Sequence, residues 1–290
     1  MGSLTDAEAA ELFRRAPDRM VDADQGAVAV RTIGNGPDVV LVHGWPVSGA
    51  TFRRVLPHLV DHVTCHVLDL PGAGQSEFDD RSQLSIDNHI DGVKRVIDAL
   101  DVDSVAVVGH DSGGLIARHA VAGDDRLRGL GLINTEIPNG NGWRFSSFIR
   151  ASRLPGFTRV LGWAAGRPAV RRNKFVLGDA FADRSLLDGE FDEFFLEPLH
   201  SDPRVRHATD RLIASFDFDQ VRQLTGLHGR ITAPVAMVWG AQDPFFPVAN
   251  ARKMVDEFAD ATLTELPDAG LFSHEEAPAA VADALLPALT

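Results

Sequence analysis

The 290-residue chain has no tyrosine and only one cysteine. A single cysteine permits no internal disulfide. Cys65 lies in the apolar run Cys65-His66-Val67-Leu68, so it reads as a buried strand thiol in a reducing, cytoplasmic setting. No apolar run approaches the roughly 18 residues of a membrane span. The stretch from Met1 to Met20 lacks the apolar centre of a signal peptide and reads instead as a mixed-charge amphipathic helix. Positive charge is scarce: 28 Lys and Arg stand against 41 Asp and Glu, a net charge of −13. That balance argues against nucleic acid as a partner and for simple solubility. Between Ile137 and Gly178 the scarcity reverses. No Asp or Glu occurs there, while Arg144, Arg150, Arg153, Arg159, Arg167, Arg171, Arg172 and Lys174 do. Such a patch could draw in a carboxylate or another anionic substrate. The plainer reading is a solvated helix face that pairs with the acidic remainder.

What is present reads as an α/β chain. Strands are expected at 27–32, 39–42, 65–70, 105–109, 130–133, 235–239 and 262–266, each a short β-branched or apolar run. A helix is expected over 86–100, where Ile86, Ile90, Val93, Val96, Ile97 and Leu100 share one face, and another over 278–286 with Pro at its first turn. Strands alternating with helices imply a mainly parallel sheet covered on both faces. From Glu136 to about Gly229 this rhythm stops. The stretch is too long for a loop and should form a helical unit of its own. The expected division is a core of residues 1–135 and 230–290, with 136–229 inserted.

The most informative run is Val107-Val108-Gly109-His110-Asp111-Ser112-Gly113-Gly114. A strand enters a sharp turn, with glycines two residues to either side of Asp111. This is the G-x-nucleophile-x-G elbow, which lifts its central side chain above the sheet. A carboxylate there attacks carbon and leaves an ester on the protein. The usual partners follow in the order acid, then histidine. Asp243, in Trp239-Gly240-Ala241-Gln242-Asp243-Pro244, lies just past a strand end. His274, in Gly270-Leu271-Phe272-Ser273-His274-Glu275-Glu276, follows the last strand. In this scheme His274 activates the water that hydrolyses the ester, and Asp243 orients His274. The backbone N–H groups of Ser112 and of Trp45, in His43-Gly44-Trp45-Pro46, would form the oxyanion hole. His58, His62 and His66 are spaced four apart but do not share a helical face, so no metal site is expected.

These motifs, with the turn Asp69-Leu70-Pro71-Gly72-Ala73-Gly74-Gln75-Ser76, resemble the α/β-hydrolase superfamily. Within it they are similar to the aspartate-nucleophile branch of epoxide hydrolases, haloalkane dehalogenases and haloacetate dehalogenases. The resemblance covers about residues 27–290. It implies a mainly parallel eight-stranded sheet with helices on both faces, a helical cap inserted after the sixth strand, a cis Trp45–Pro46 bond and no cofactor. It also implies that His43 and His110 brace the oxyanion loop and the elbow, that the substrate is a small organic molecule and that the protein is a monomer or homodimer.

Three departures bear on the substrate. Epoxide hydrolases of this branch use cap tyrosines to protonate the opening oxygen, and this chain has none. Haloalkane dehalogenases typically have Trp just after the nucleophile, where this chain has Ser112. Haloacetate dehalogenases typically have Arg one and four residues after it, where this chain has Ser112 and Leu115. The missing tyrosines favour carbon–halogen cleavage, with the indole of Trp45, Trp143 or Trp163 holding the halide. Epoxide opening would need another acid, such as His200 or His207. Arg150 and Arg153, near Phe145, Phe148 and Ile149, are the basic residues expected to point inward. An esterase or lactonase with Ser112 as nucleophile and a non-catalytic ligand receptor are the remaining alternatives.

Overall fold

The computed structural model describes residues 4–24, 26–138 and 140–290. Eight strands form one sheet: β1 (Arg19–Ala23), β2 (Gly26–Gly34), β3 (Asp38–Val42), β4 (Thr64–Asp69), β5 (Val105–His110), β6 (Leu127–Ile133), β7 (Val235–Gly240) and β8 (Ala261–Leu266). Their order across the sheet is β1-β2-β4-β3-β5-β6-β7-β8. β2 runs antiparallel to both β1 and β4, and every other neighbouring pair is parallel. All six residues of β5 and of β7 are buried, as are Val39 to Val42 of β3. A strand with no exposed side is covered on both faces, which is why these runs are continuously apolar instead of alternating.

The helices are α1 (Asp6–Arg14), α2 (Leu56–Leu59), α3 (Ile86–Leu100), α4 (Ser112–Val121), α5 (Trp143–Ser152), α6 (Phe157–Ala165), α7 (Pro168–Arg171), α8 (Glu197–Ser201), α9 (Pro203–Ala214), α10 (Phe218–His228), α11 (Val248–Met254), α12 (Ser273–Glu276) and α13 (Pro278–Leu289). α3 spans the residues expected of it. Ser85 caps its first turn by accepting from the Asn88 N–H, and Ile86, Ile90, Val93, Val96 and Ile97 are buried. Six helices, α5 to α10, lie between β6 and β7, so the helical insertion follows the sixth strand.

The amino-terminal reading needs correction. The helix is confined to Asp6–Arg14, closed by a capping box between Thr5 and Glu8, and Arg19 and Met20 belong to edge strand β1. Residues 1–3 of the expected helix lie outside the described residues. No helix among the described residues is long and apolar enough to cross a membrane.

The parallel register aligns the carboxyl ends of β3, β5, β6, β7 and β8 along one edge. Val42 pairs with Gly109, His110 with Ile133, Ile133 with Val238 and Gly240 with Leu266. Such an edge is where open α/β sheets place functional side chains. The segments carrying Trp45, Asp111, Glu136, Asp243 and Leu271 all leave from it.

Candidate active site

The elbow forms as the glycines require. Asp111 sits between β5 and α4 at φ 53°, ψ −135°, a strained conformation for a residue with a side chain. Its N–H donates to the Asn134 carbonyl at 3.0 Å, and its carbonyl accepts from Gly114 N–H at 2.8 Å. A Cβ on Gly113 would lie 2.2 Å from the Val42 carbonyl oxygen, and one on Gly109 would lie 2.5 Å from that of Gly113. Neither position has room for alanine, so the turn can close only with glycine on both sides.

Asp111 Oδ1 accepts from the Ser112 N–H at 2.6 Å and from the Trp45 N–H at 3.2 Å. The two donors expected to form an oxyanion hole therefore converge on one atom. The Trp45–Pro46 bond is cis. Burial raises the Asp111 carboxyl to about 6, against the pull of the two N–H groups. His43 accepts from Leu70 N–H at Nε2 (2.9 Å), which leaves Nδ1–H to donate to the Gly44 carbonyl (2.8 Å). It thus ties the loop after β3 to the end of β4. His110 donates from Nε2 to the Leu271 carbonyl at 3.1 Å, and burial lowers its pKa to about 3.

Asp111 opens into a cavity of about 100 Å³. The cavity is floored by Trp45, Pro46, Ser112, Glu136, Leu271 and Phe272, and roofed largely by aromatic and aliphatic side chains of the insertion, among them Phe145, Phe148 and Phe216. Among the described residues, no Arg, Lys or His lines it. Trp45 Nε1 and Glu136 Oε1 are buried atoms without a hydrogen-bond partner.

His274 does not join this cavity. Its Nε2 is 2.7 Å from Thr51 Oγ1, its Nδ1 has no partner, and it is absent from the cavity lining. The expected hydrogen bond to Asp243 is not made. Asp243 accepts instead from Asn134 Nδ2 (2.8 Å) at Oδ2 and from the Phe245 and Phe246 N–H groups (2.7 and 3.1 Å) at Oδ1. Burial raises its carboxyl to about 7. The physical reason lies in how α12 is pinned. Ser273 Oγ donates to Asn134 Oδ1, Glu275 pairs with Arg53 at 2.6 Å, and Glu276 accepts from Gly270 and Asp183 N–H groups. Those anchors hold His274 against Thr51 and Phe52 and turn Leu271 and Phe272 toward Asp111. Burial, then the neighbouring His110, Arg53 and Arg54, hold the His274 pKa well below its usual value.

The other sequence candidates also stay outside. Trp143 and Trp163 are 67% and 51% exposed. Arg150, Arg153, His200 and His207 are exposed and do not line the cavity. Three of the basic residues are consumed within the insertion itself: Arg144 pairs with Asp179 at 2.7 Å, buried Arg171 pairs with Asp188 and Asp192 at 2.6 Å each, and Arg172 pairs with Asp188. His66 is held by Asp38 (2.8 Å) and Thr32 (3.0 Å), away from His58 and His62 on and beside α2.

Sequence reasoning missed Glu136. It lies three residues past β6, beside the elbow strand, and burial and the Asp111 charge raise its carboxyl to about 8. Its one signal was an acidic residue at the carboxyl end of a central parallel strand.

The comparisons agree with this architecture. A family model described as the alpha/beta hydrolase fold matches residues 37–278. The chain is 30% identical over 253 residues to a pimeloyl-[acyl-carrier protein] methyl ester esterase of Chromobacterium violaceum, covering 85% of this chain and 93% of that one. It is 28% identical over 279 residues to haloalkane dehalogenase 2 of Mycobacterium tuberculosis, covering 92% and 93%. The structure of the epoxide hydrolase CorEH superposes with a TM-score of 0.77 at 20% identity, covering 93% and 97%, a likeness of fold.

Proposed function

This chain belongs to the α/β-hydrolase family, and from that premise we propose that it hydrolyses small, uncharged electrophiles through a covalent alkyl ester on Asp111. The observation that carries this reading is the position of Asp111 Oδ1 between the Trp45 and Ser112 N–H groups. With Oδ1 so held, Oδ2 attacks carbon. Oδ1 then becomes the carbonyl oxygen of the ester, already seated where negative charge develops when water adds to it. Each such donor is worth about 3 kcal/mol in the hydrolytic step. Residues 136–229 act in this reading as the cap that keeps bulk water from the ester.

The cavity argues for a neutral substrate. An anionic one would face Asp111 and Glu136 with no lining cation to offset them. Halide departure has one donor waiting, the unpartnered Trp45 indole, and a haloalkane dehalogenase is among the relatives. Epoxide opening requires an acid, and neither a tyrosine nor His200 or His207 supplies it. Ester hydrolysis with Ser112 as nucleophile is the second reading, favoured by the esterase relative.

Single turnover in ¹⁸O-water separates the two. Panels of short haloalkanes, epoxides and esters would be tried, and the protein digested and weighed. Attack of water on an Asp111 ester leaves the label in the Asp111 carboxylate. A Ser112 route leaves the protein unlabelled and is abolished by Ser112→Ala. Label at no residue with any turned-over substrate would refute the alkyl-ester reading.

A further inference from the structure

We infer that Glu136 is the proton donor and acceptor of this site, delivering a proton to the leaving oxygen and then activating the water that cleaves the Asp111 ester. The inference rests on Asp111 as nucleophile and supplies what that reading lacks, a base inside the cavity.

Three observations point to it. First, the histidine that ought to do this is elsewhere: His274 is bonded to Thr51, and an aliphatic side chain, Leu271, faces the cavity from the same loop. Second, Glu136 and Asp111 line the same small cavity, and Glu136 Oε1 is buried with no protein partner. A buried carboxyl oxygen left without a partner costs free energy unless it meets a ligand or water. Third, the surroundings of Glu136 suit a group that changes protonation state. Thr135 Oγ1 lies 2.8 Å from the Asp111 carbonyl oxygen and 3.0 Å from Glu136 Oε2 while accepting from Arg118 Nη2 at 2.9 Å. Its single proton serves one of these oxygens at a time. Both contacts are hydrogen bonds only when Glu136 itself carries a proton. When Glu136 is ionised, the hydroxyl can turn to it.

The groups around Glu136 act in opposite senses. Asp111 raises its pKa, Arg118 lowers it, and burial outweighs both. Arg118 does not pair with the carboxylate. Its guanidinium is spent on the Gly114 and Glu136 carbonyls, Thr135 and His228. Two carboxyls sharing a dry cavity hold one proton between them near neutrality. Asp111 keeps its charge because two N–H groups face it, and Glu136 keeps the proton.

With Glu136 as the acid that neither a tyrosine nor His200 or His207 supplies, the site can also open an epoxide. Asp111 Oδ2 bonds to one ring carbon as the C–O bond breaks, and the oxygen takes the Glu136 proton. This yields a hydroxyalkyl ester and a Glu136 carboxylate. Glu136 then removes a proton from water, and the hydroxide adds to the ester carbonyl, whose oxyanion sits between Trp45 N–H and Ser112 N–H. Collapse breaks the ester C–O bond. The departing alkoxide takes the Glu136 proton, and the proton now on Asp111 passes back to Glu136. Epoxide plus water becomes a diol, and the pair again holds one proton. A haloalkane would leave as unprotonated halide with Glu136 still protonated, so Glu136 must first release that proton to solvent, the counterpart of the halide lost, before it can take one from water in the second half.

The test is Glu136→Gln, nearly the same shape without a titratable group, assayed beside the unmutated protein with 1,2-epoxybutane and 1-bromobutane. Folding is checked by thermal denaturation. The expected result is a split. Diol formation falls by about 10³-fold without an adduct, because opening fails. Bromobutane still alkylates Asp111, and the butyl ester accumulates in the intact mass. Glu136→Gln that folds and forms diol within threefold of the unmutated rate, with ¹⁸O still entering Asp111, would overturn the Glu136 assignment and leave the nucleophile standing. No label and no adduct at Asp111 in either protein would instead remove the nucleophile reading. Were Glu136→Gln to fail to fold, Glu136→Asp decides. It should keep turnover with a displaced alkaline limb in its pH profile, and an unmoved limb would count against the proposal.

Discussion

The loops after β5 and after β8 each carry a residue marked by the sequence for one reaction, yet the fold delivers only the first to the cavity. Asp111 is placed by contacts a few residues long: Gly109, Gly113 and the backbone of β3 and β6 leave the turn one way to close. His274 is placed by partners far away in sequence, Thr51, Arg53 and Asn134, which decide the rotation of a four-residue helix. Steric necessity within a turn can be read from residue types. The angular register of a short helix cannot, because a shift of three residues exchanges Leu271 for His274 at the cavity wall and no local rule forbids either.

The largest expected effect tests the first half of that comparison. Asp111→Asn should lower turnover by about 10⁴-fold or more while the protein still binds its substrate, since the amide keeps the shape and loses the nucleophile. Single-turnover product analysis measures it. Activity within tenfold of the unmutated protein would mean that the elbow carboxylate is not the attacking group.

The pH dependence comes next. Asp111 must be ionised and is raised to about 6, and Glu136 must be protonated and is raised to about 8. kcat/KM for an epoxide should therefore fall below about pH 6 and above about pH 8, the two limbs belonging to the pair. Stability carries the same signature with a definite sign. Both groups have folded pKa values above their unfolded ones. Their contribution is complete below about pH 4 and is lost as pH rises through the folded values, while the buried histidines, lowered by burial, act in the opposite sense only below their usual value near 6.5; the midpoint of urea unfolding should therefore drop between about pH 7 and pH 9. Glu136→Gln should flatten that decline. A decline over that range that is as steep in Glu136→Gln as in the unmutated protein would show that Glu136 holds no extra proton in the folded state.

Much of the framework was legible. β5 and β7 are runs buried on both faces, and α3 has its apolar residues on one side. β1 was not, because Arg19-Met20-Val21-Asp22-Ala23 is an edge strand with one buried residue and no apolar alternation to reveal it. In the site, the position of Asp111 and the two N–H groups that meet its Oδ1 follow from the elbow and the loop after β3. Glu136 was hidden because a single acidic residue after a strand has no motif. Its chemistry comes from a neighbour 25 positions away and from the burial of both. The inward faces of the insertion were hidden for a related reason. Arg150 and Phe148 are two residues apart on α5, and only the packing of the other helices shows that Phe148 faces Trp45 at 5.1 Å while Arg150 faces solvent.

His274→Gln tests the second half of the comparison, with a smaller effect. Glutamine can still meet Thr51, so stability should change by less than about 1 kcal/mol, the worth of one hydrogen bond. Turnover should stay within threefold. If His274 were the base, the same variant would trap the Asp111 ester, and intact mass would show it within one turnover.

The smallest effect concerns the basic face of the insertion. Arg150 and Arg153 are exposed and lie off the cavity, while Arg144 and Arg171 are held in local ion pairs. A charge at the surface acts on a substrate only through the screened long-range field, which fades over about 8 Å at physiological salt. A neutral substrate does not feel even that. The double variant Arg150→Glu, Arg153→Glu should therefore leave KM for a neutral epoxide or haloalkane within twofold at any ionic strength. If KM instead rose severalfold at low salt and recovered at high salt, the substrate would be an anion drawn in along this face.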